Sequence, residues 1–200
     1  MRLFKLQLGP ILALLLLVGG PASAAGTQAG AFVKNLSDQV LAIFNDPRLS
    51  LAEQEQRMNA VAVRDFDVPY SARFVLGPYW RSATENERTE FTKAYEAYVV
   101  HVYAGKFRIY HDVEVAVIGE RQESQTHMLV RTKIIRSDGR PPLDVDWHLA
   151  TTSQPYKIID VNIGGISQVV TFREQFAVLM ERNPGGVAML TERLREKTRE

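Results

Sequence analysis

Residues 113–150 read VEVAVIGERQESQTHMLVRTKIIRSDGRPPLDVDWHLA. Val113, Val115 and Val117 alternate with Asp112, Glu114 and Ala116, and Met128, Val130, Thr132 and Ile134 alternate with Leu129, Arg131 and Lys133. A period of two marks β-strands with one buried face. Leu143, Val145, Trp147 and Leu149 continue the pattern after Asp138-Gly139, a dipeptide suited to a hairpin turn. A fourth strand, Tyr156 to Ile163, follows Pro155. Short polar turns separate these runs, whereas a parallel pair needs a crossover of a dozen or more residues. The reading is a curved antiparallel four-stranded sheet.

On either side of this block the apolar period lengthens to that of a helix. Phe32, Val33, Leu36, Val40, Ile43 and Phe44 recur at three- and four-residue intervals, so Ala31 to Phe44 forms a helix that Asp46-Pro47 ends. Ser50 and Glu53 have the spacing of a capping box for a second helix reaching about Arg64. Pro69 and Pro78 break the aromatic segment from Asp65 to Trp80 into a short helix near Ser71–Leu76 and a turn. Thr84 and Glu87 form another capping box, and Phe91, Ala94, Tyr95, Tyr98, Val99, Val102 and Tyr103 trace one wide apolar face before Gly105 stops the helix. After the sheet, Thr171 and Glu174 fit a capping box, Phe176, Leu179 and Met180 give an apolar face, and Asn183-Pro184-Gly185-Gly186 precedes a last helix from Val187 to about Lys197. Helices, then consecutive strands, then helices define an α+β fold with its sheet covered on one side by several helices.

A length of 200 residues suits one domain, and 46% hydrophobic with 24% charged residues excludes a disordered chain and a polytopic membrane protein. The formal net charge of +1 provides no basic field for a nucleic acid. With no cysteine, the chain has no disulfide, thiolate ligand or cysteine nucleophile. Arg2 and Lys5, the apolar run Leu8–Val18 and Ala22-Ser23-Ala24 have the three-part order of a secretory signal peptide spanning residues 1–24. The apolar run is about half the roughly 20 residues a membrane span requires, so stable membrane insertion is not expected. Residues 25–200 are then the exported domain. Removing Arg2 and Lys5 leaves 22 basic residues against 23 acidic ones, a net charge of −1.

Chemistry-bearing motifs are scarce. His101, His111, His127 and His148 lack metal-ligand spacing, and no cofactor-binding glycine loop is present. Gly165-Ile166-Ser167 begins like a nucleophile elbow but continues with Gln168 and Val169, which reads better as a helix cap near Ser167. Asp144, Asp146 and His148 share one face of the third strand, where an isomerase or lyase of the cone-shaped α+β type would place an acid or base. Leu143, Val145, Trp147 and Leu149 are the natural core side, which puts that polar trio in solvent. No catalytic residue, metal ligand or cofactor is assigned, and the chain reads as a non-enzyme. Nine Phe, seven Tyr and two Trp furnish bulky walls, many on Phe66–Trp80 and Phe91–Tyr103, expected to face the sheet. Such walls either interlock as a core or stand apart around an apolar ligand.

Ala72-Arg73-Phe74-Val75-Leu76-Gly77, then Tyr79-Trp80-Arg81, Ala83-Thr84, Arg88 and Glu90-Phe91, together with Tyr103-Ala104-Gly105, Asp160-Val161, Gly165-Ile166-Ser167, Arg173, Glu174-Gln175-Phe176 and Gly185-Gly186, resemble the MlaC or toluene-tolerance family. Pro78 and Pro184 depart from its pattern. The resemblance implies a periplasmic phospholipid carrier of the Mla pathway, which maintains outer-membrane lipid asymmetry. Such a carrier shuttles lipid between an outer-membrane lipoprotein complex and an inner-membrane ABC transporter, with acyl chains in a pocket between sheet and helices. A sister branch accompanies hopanoid biosynthesis, so a hopanoid is an alternative ligand.

The side chains whose phase points inward are the lipid-binding candidates: Phe74, Leu76, Tyr79, Trp80, Tyr98 and Val102 from helices, and Val115, Val117, Val130, Ile134, Val145, Trp147, Val161 and Ile163 from strands. Arg73, Arg81, Lys106, Arg108 and Lys157 are cations that could meet a headgroup, though solvated surface is the simpler fate of each. Arg193, Arg195, Lys197 and Arg199, interleaved with Glu192, Glu196 and Glu200, suit a solvated helix with internal ion pairs better than a docking helix.

Overall fold

The computed structural model describes residues 28–107, 112–152, 155–182 and 185–199. The proposed signal peptide, Arg108, His111 and the Asn183-Pro184 break lie outside them. Helix α1 (Gln28–Asn45) buries Val33, Leu36, Val40, Ile43 and Phe44, the stripe its periodicity requires. Helix α2 (Leu51–Asp65) opens with the predicted box: the Ser50 Oγ accepts from the Glu53 N–H, and the Glu53 carboxylate accepts from the Ser50 N–H at 2.8 Å. In α3 (Val68–Leu76) the Asp67 side chain accepts from the Tyr70 N–H, and Pro69 sits in the first turn, where its missing donor costs nothing.

The turn expected after Pro78 is instead a single helical turn, α4 (Tyr79–Ser82). Arg88 stabilises it by donating to the Trp80 carbonyl at 2.8 Å and the Arg81 carbonyl at 3.2 Å, which leaves fewer of its terminal acceptors unpaired. Helix α5 (Glu85–Phe107) starts at the Thr84–Glu87 box but does not stop at Gly105. Gly105 keeps a helical φ, because a glycine ends a helix only where the chain needs the left-handed conformation.

The sheet is a meander of five strands in sequential order, each neighbour antiparallel: β1 (Val113–Gln122), β2 (His127–Arg136), β3 (Leu143–Ala150), β4 (Lys157–Ile163) and β5 (Ile166–Ser167). The fifth strand, unanticipated from four hydrophobic runs, is two residues long and too short to show alternation. It pairs Asn162 with Ser167 through a turn in which Gly164 and Gly165 both have positive φ. Irregularities at Val117/Gly119 and His148/Leu149 interrupt the register, and such bulges bend a sheet.

Helix α6 (Gln168–Arg182) begins three residues before the expected Thr171 box. Ser167 is its cap, its Oγ accepting from the Val170 N–H, while the Thr171 hydroxyl donates back to the Ser167 carbonyl inside the helix. Helix α7 (Gly186–Thr198) completes the described chain.

The interior divides in two. A helical core joins α3, α5, α6 and α7 through Ala72, Val75, Leu76, Phe91, Tyr95, Phe172, Phe176, Leu190 and Leu194. A sheet core joins α1, α2 and the end of α5 to the strands through Val33, Leu36, Phe44, Met58, Val100, Val130, Leu149 and Ile158. The aromatic face of α5, expected against the sheet, turns mainly toward α6. Phe91, Tyr95 and Tyr98 meet Phe172 and Phe176 with ring centroids 5.9–6.4 Å apart. Rings prefer such edge-to-face company, and valine strands cannot offer it.

Candidate lipid-binding face

The β1–β4 register sets the geometry of the candidate site. Val115 lies opposite Ile134, Val117 opposite Thr132, Val130 opposite Trp147, Val145 opposite Ile163, and Trp147 opposite Val161. Directly opposed residues share a face, so every strand candidate named from the sequence projects from the same side of the sheet. This is the side α1 covers, since Val33 and Leu36 pack in one cluster with Val130 and Leu149.

Burial along this face is graded. Val130, Thr132, Leu149 and Ile158 have 0% of their surface exposed, which leaves no room for even a water-sized guest beside them. Val115 and Val145 are buried, whereas Val117, Ile134, Trp147, Val161 and Ile163 are half-buried. The centre of the face is therefore filled by side chains, and accessible apolar surface lies around it. Thr132, absent from the sequence-derived set, is a fully buried polar residue in this wall, and its needs are met internally. Its hydroxyl donates to the Val145 carbonyl at 2.9 Å and accepts from the Trp147 indole N–H at 3.0 Å. Satisfied in this way, it adds no exposed donor to an apolar surface. Its place in the alternating run was its only sequence signal.

The helical candidates do not converge on this face as a group. Leu76 is buried in the helical core, with Phe74, Tyr79, Trp80 and Tyr98 packed against it. Phe74 lies under the Arg173 guanidinium at 5.1 Å, and Trp80 under that of Arg88 at 5.5 Å. Val102 is half-buried on α5. Sequence phase located an inward face for each helix, but not which of two interiors that face met.

Among the cations, Lys157 donates to the carbonyls of Val63 and Arg64 at 3.5 and 2.5 Å and so caps α2. Lys106 stands over the Tyr103 ring at 5.2 Å, and Arg73 and Arg81 are exposed. Arg195 joins Glu90 on α5 as well as Glu192, so the last helix is pinned to its neighbour and not only paired within itself.

Asp144, Asp146 and His148 project from the opposite, outer side of the sheet. Asp144 pairs with Lys133 at 3.0 Å, Asp146 stands opposite Arg131, and His148 Nδ1 lies 2.8 Å from Glu123. Partial burial raises the Glu123 carboxyl, but hydrogen bonds from His148 and Arg121 outweigh that and hold it below the ordinary range. Burial also pushes the Tyr95 and Tyr103 hydroxyls upward, with the Asp160 charge adding to both shifts. Asp160 itself accepts from Ser167 Oγ at 2.6 Å and the Val169 N–H at 3.2 Å, fastening β4 to the start of α6. These groups are paired for structural ends. Among the described residues no cluster of three or more His, Asp or Glu could hold a metal ion, and no helix is long and apolar enough to cross a membrane.

Comparison with known proteins adds to this geometry. An intermembrane phospholipid transport system binding protein MlaC from Haemophilus influenzae is 24% identical over 106 residues, and the match spans 52% of this chain and about half the length of that relative. A phospholipid-binding protein from Ralstonia solanacearum, solved in complex with a phospholipid, superposes with a TM-score of 0.72 at 26% identity, covering 85% of this chain and 96% of that one. The family model of the MlaC protein matches residues 34–196, from α1 to α7, and the chain belongs to the MlaC family.

Proposed function

We propose that the protein is a periplasmic phospholipid carrier that buries acyl chains against the inner face of β1–β4 and exchanges them with membrane complexes. The observation that carries the reading is the single apolar face in register, set in a fold similar to that of a protein solved with a phospholipid. In this reading residues 1–24 are a cleaved signal peptide and residues 25–200 one lipid-binding domain. The strand candidates line the ligand, and partners are an outer-membrane lipoprotein complex and an inner-membrane ABC transporter.

The physical need for a carrier is large. Two acyl chains hold about 30 methylenes, and at roughly 0.8 kcal/mol each their exposure to water costs on the order of 24 kcal/mol. Shielding the tails removes that barrier without a chemical step, so the reading needs no cofactor and no catalytic residue. Because the centre of the face is filled, chains enter along its half-buried rim, at Ile134, Trp147, Val161 and Ile163, and side chains give way as α1 yields. On the outer face Asp144 and His148 are engaged by Lys133 and Glu123, and Asp146 stands opposite Arg131, an arrangement that does not favour the isomerase alternative.

Native mass spectrometry of the mature protein tests the reading. A bound mass matching a diacyl phospholipid, with a rise in melting temperature on lipid addition, is the expected result. Lipid-free protein whose melting is indifferent to added phospholipid overturns it.

A further inference from the structure

The Arg73–Arg88 stretch that carries much of the family resemblance stands apart from the apolar face of the sheet. Gly77 ends α3 at φ +54°, and a Cβ there would lie 3.2 Å from the Arg173 guanidinium of α6. The missing side chain lets Arg173 lie flat across the helix end and over the Phe74 ring. Stacking fixes the guanidinium, yet the residue is exposed. Arg73 and Arg81, before and after Gly77, are exposed as well. Among the described residues no carboxylate forms an ion pair with any of these arginines. The chain from Val68 to Ser82 contains no Asp or Glu. Glu174, next to Arg173 and one turn after Val170, lines a solvent-open concavity of about 500 Å³ with Gln175, Val178 and Leu179 and forms no ion pair with Arg173.

Apolar side chains flank the arginines on the same two helices. Tyr70, one turn before Arg73, is 45% exposed, and Val170, one turn before Arg173, is 40% exposed. Arginine and tyrosine side by side are typical of the energetic centre of a protein interface. A guanidinium already held by stacking loses little freedom when it meets a carboxylate, and its planar fork matches one in two hydrogen bonds.

We propose that the face built by α3, α4 and α6 around Arg73, Arg81 and Arg173 docks an acidic protein surface, leaving the sheet side free for lipid exchange. The inference rests on the carrier reading only in that a carrier must meet a protein complex. An anionic membrane surface is the lesser fit, because such binding recruits clusters of about four to eight Lys or Arg, whereas this face offers three arginines, one of them held flat by stacking.

A photo-crosslinking amino acid at Tyr70, introduced into the full chain in its native cell, tests the proposal. The expected result is an adduct with one protein, identified by peptide mass spectrometry, whose crosslinked segment presents Asp and Glu. In Arg73→Glu/Arg173→Glu the adduct should fall about tenfold or more, while the Lys replacements retain part of it. Arg81→Glu lies outside the Phe74 stack and gives the same readout should the double variant fail to fold. No protein adduct, an adduct on a segment without acidic residues, an undiminished yield on charge reversal, or binding to phosphatidylglycerol vesicles in place of a protein overturns it. Native mass spectrometry of the same variants reads lipid loading separately. Lost adduct with lipid retained locates the effect at docking, and a retained adduct on lipid-free protein refutes the carrier reading alone.

Discussion

The helical core and the sheet core are filled in different ways. Around Phe91 and Phe176, rings from α5 and α6 interlock and 2% or less of either residue is exposed. Along the inner sheet face the side chains are mainly aliphatic, with Glu120, Thr132 and Trp147 among them, and exposure grades from nothing at Val130 to half-burial at Ile134 and Ile163. Interlocked rings hold one arrangement, because each must find a matching neighbour. Aliphatic side chains on a bulged sheet separate with less loss of specific contact. The difference teaches that the interlocked aromatic interior and the graded aliphatic interior, which the carrier reading assigns to the guest, are separate regions joined by α5, which contributes to both clusters.

Substitutions can break this contrast, beginning where the effect is greatest. Phe176→Ala is expected to destabilise the protein by about 3–5 kcal/mol in denaturant titrations, with no recovery on adding phospholipid, since rigid surroundings do not close over the cavity. Recovery by lipid would show that the helical core also holds the guest. Gly77→Ala should cost about 1–3 kcal/mol in the same titration, because φ +54° with ψ −123° is strained for any side chain and the new Cβ would crowd Arg173. Ile134→Ala at the rim should cost only about 1 kcal/mol of stability while lowering bound lipid in native mass spectrometry. A large stability loss with unchanged lipid would assign Ile134 to the fixed interior.

The smallest effect concerns the helix caps. Glu53 and Glu87 have carboxyls held below the ordinary value of 4.5, the first chiefly by the Ser50 hydroxyl and the second chiefly by the Thr84 N–H. A depressed folded-state pKa means the caps contribute above the unfolded value and lose that contribution as pH falls through the folded one. Glu53→Gln should therefore flatten the acid side of the stability–pH curve below about 4.5, measured by thermal melts. An unaltered acid limb would assign the loss to other groups.

Much of the local structure was legible because it is written in short-range chemistry. Ser50 with Glu53 and Thr84 with Glu87 announced helix starts, and the Val113–Leu149 alternation sorted an inner face from an outer one. What failed failed for tertiary reasons. Gly105 carries no sign of whether its backbone will need a positive φ. Thr171 had the right spacing for a cap, but Ser167, also read as a cap, takes that role by accepting from the Val170 N–H, with Asp160 on β4 holding the Val169 N–H and the Ser167 hydroxyl. Phe74, Trp80 and Tyr98 were correctly read as inward, yet helical phase alone cannot say which interior they join.

The amino-acid order alone therefore determined the element types, the antiparallel meander and the set of strand side chains that share a face, because periodicity and capping act over a few residues. Only the folded chain decided that the aromatic helices pack on one another, that α1 covers the sheet, and that Arg173 rests over Phe74. Those contacts join residues far apart in sequence, and packing complementarity selects among several faces of equal hydrophobicity.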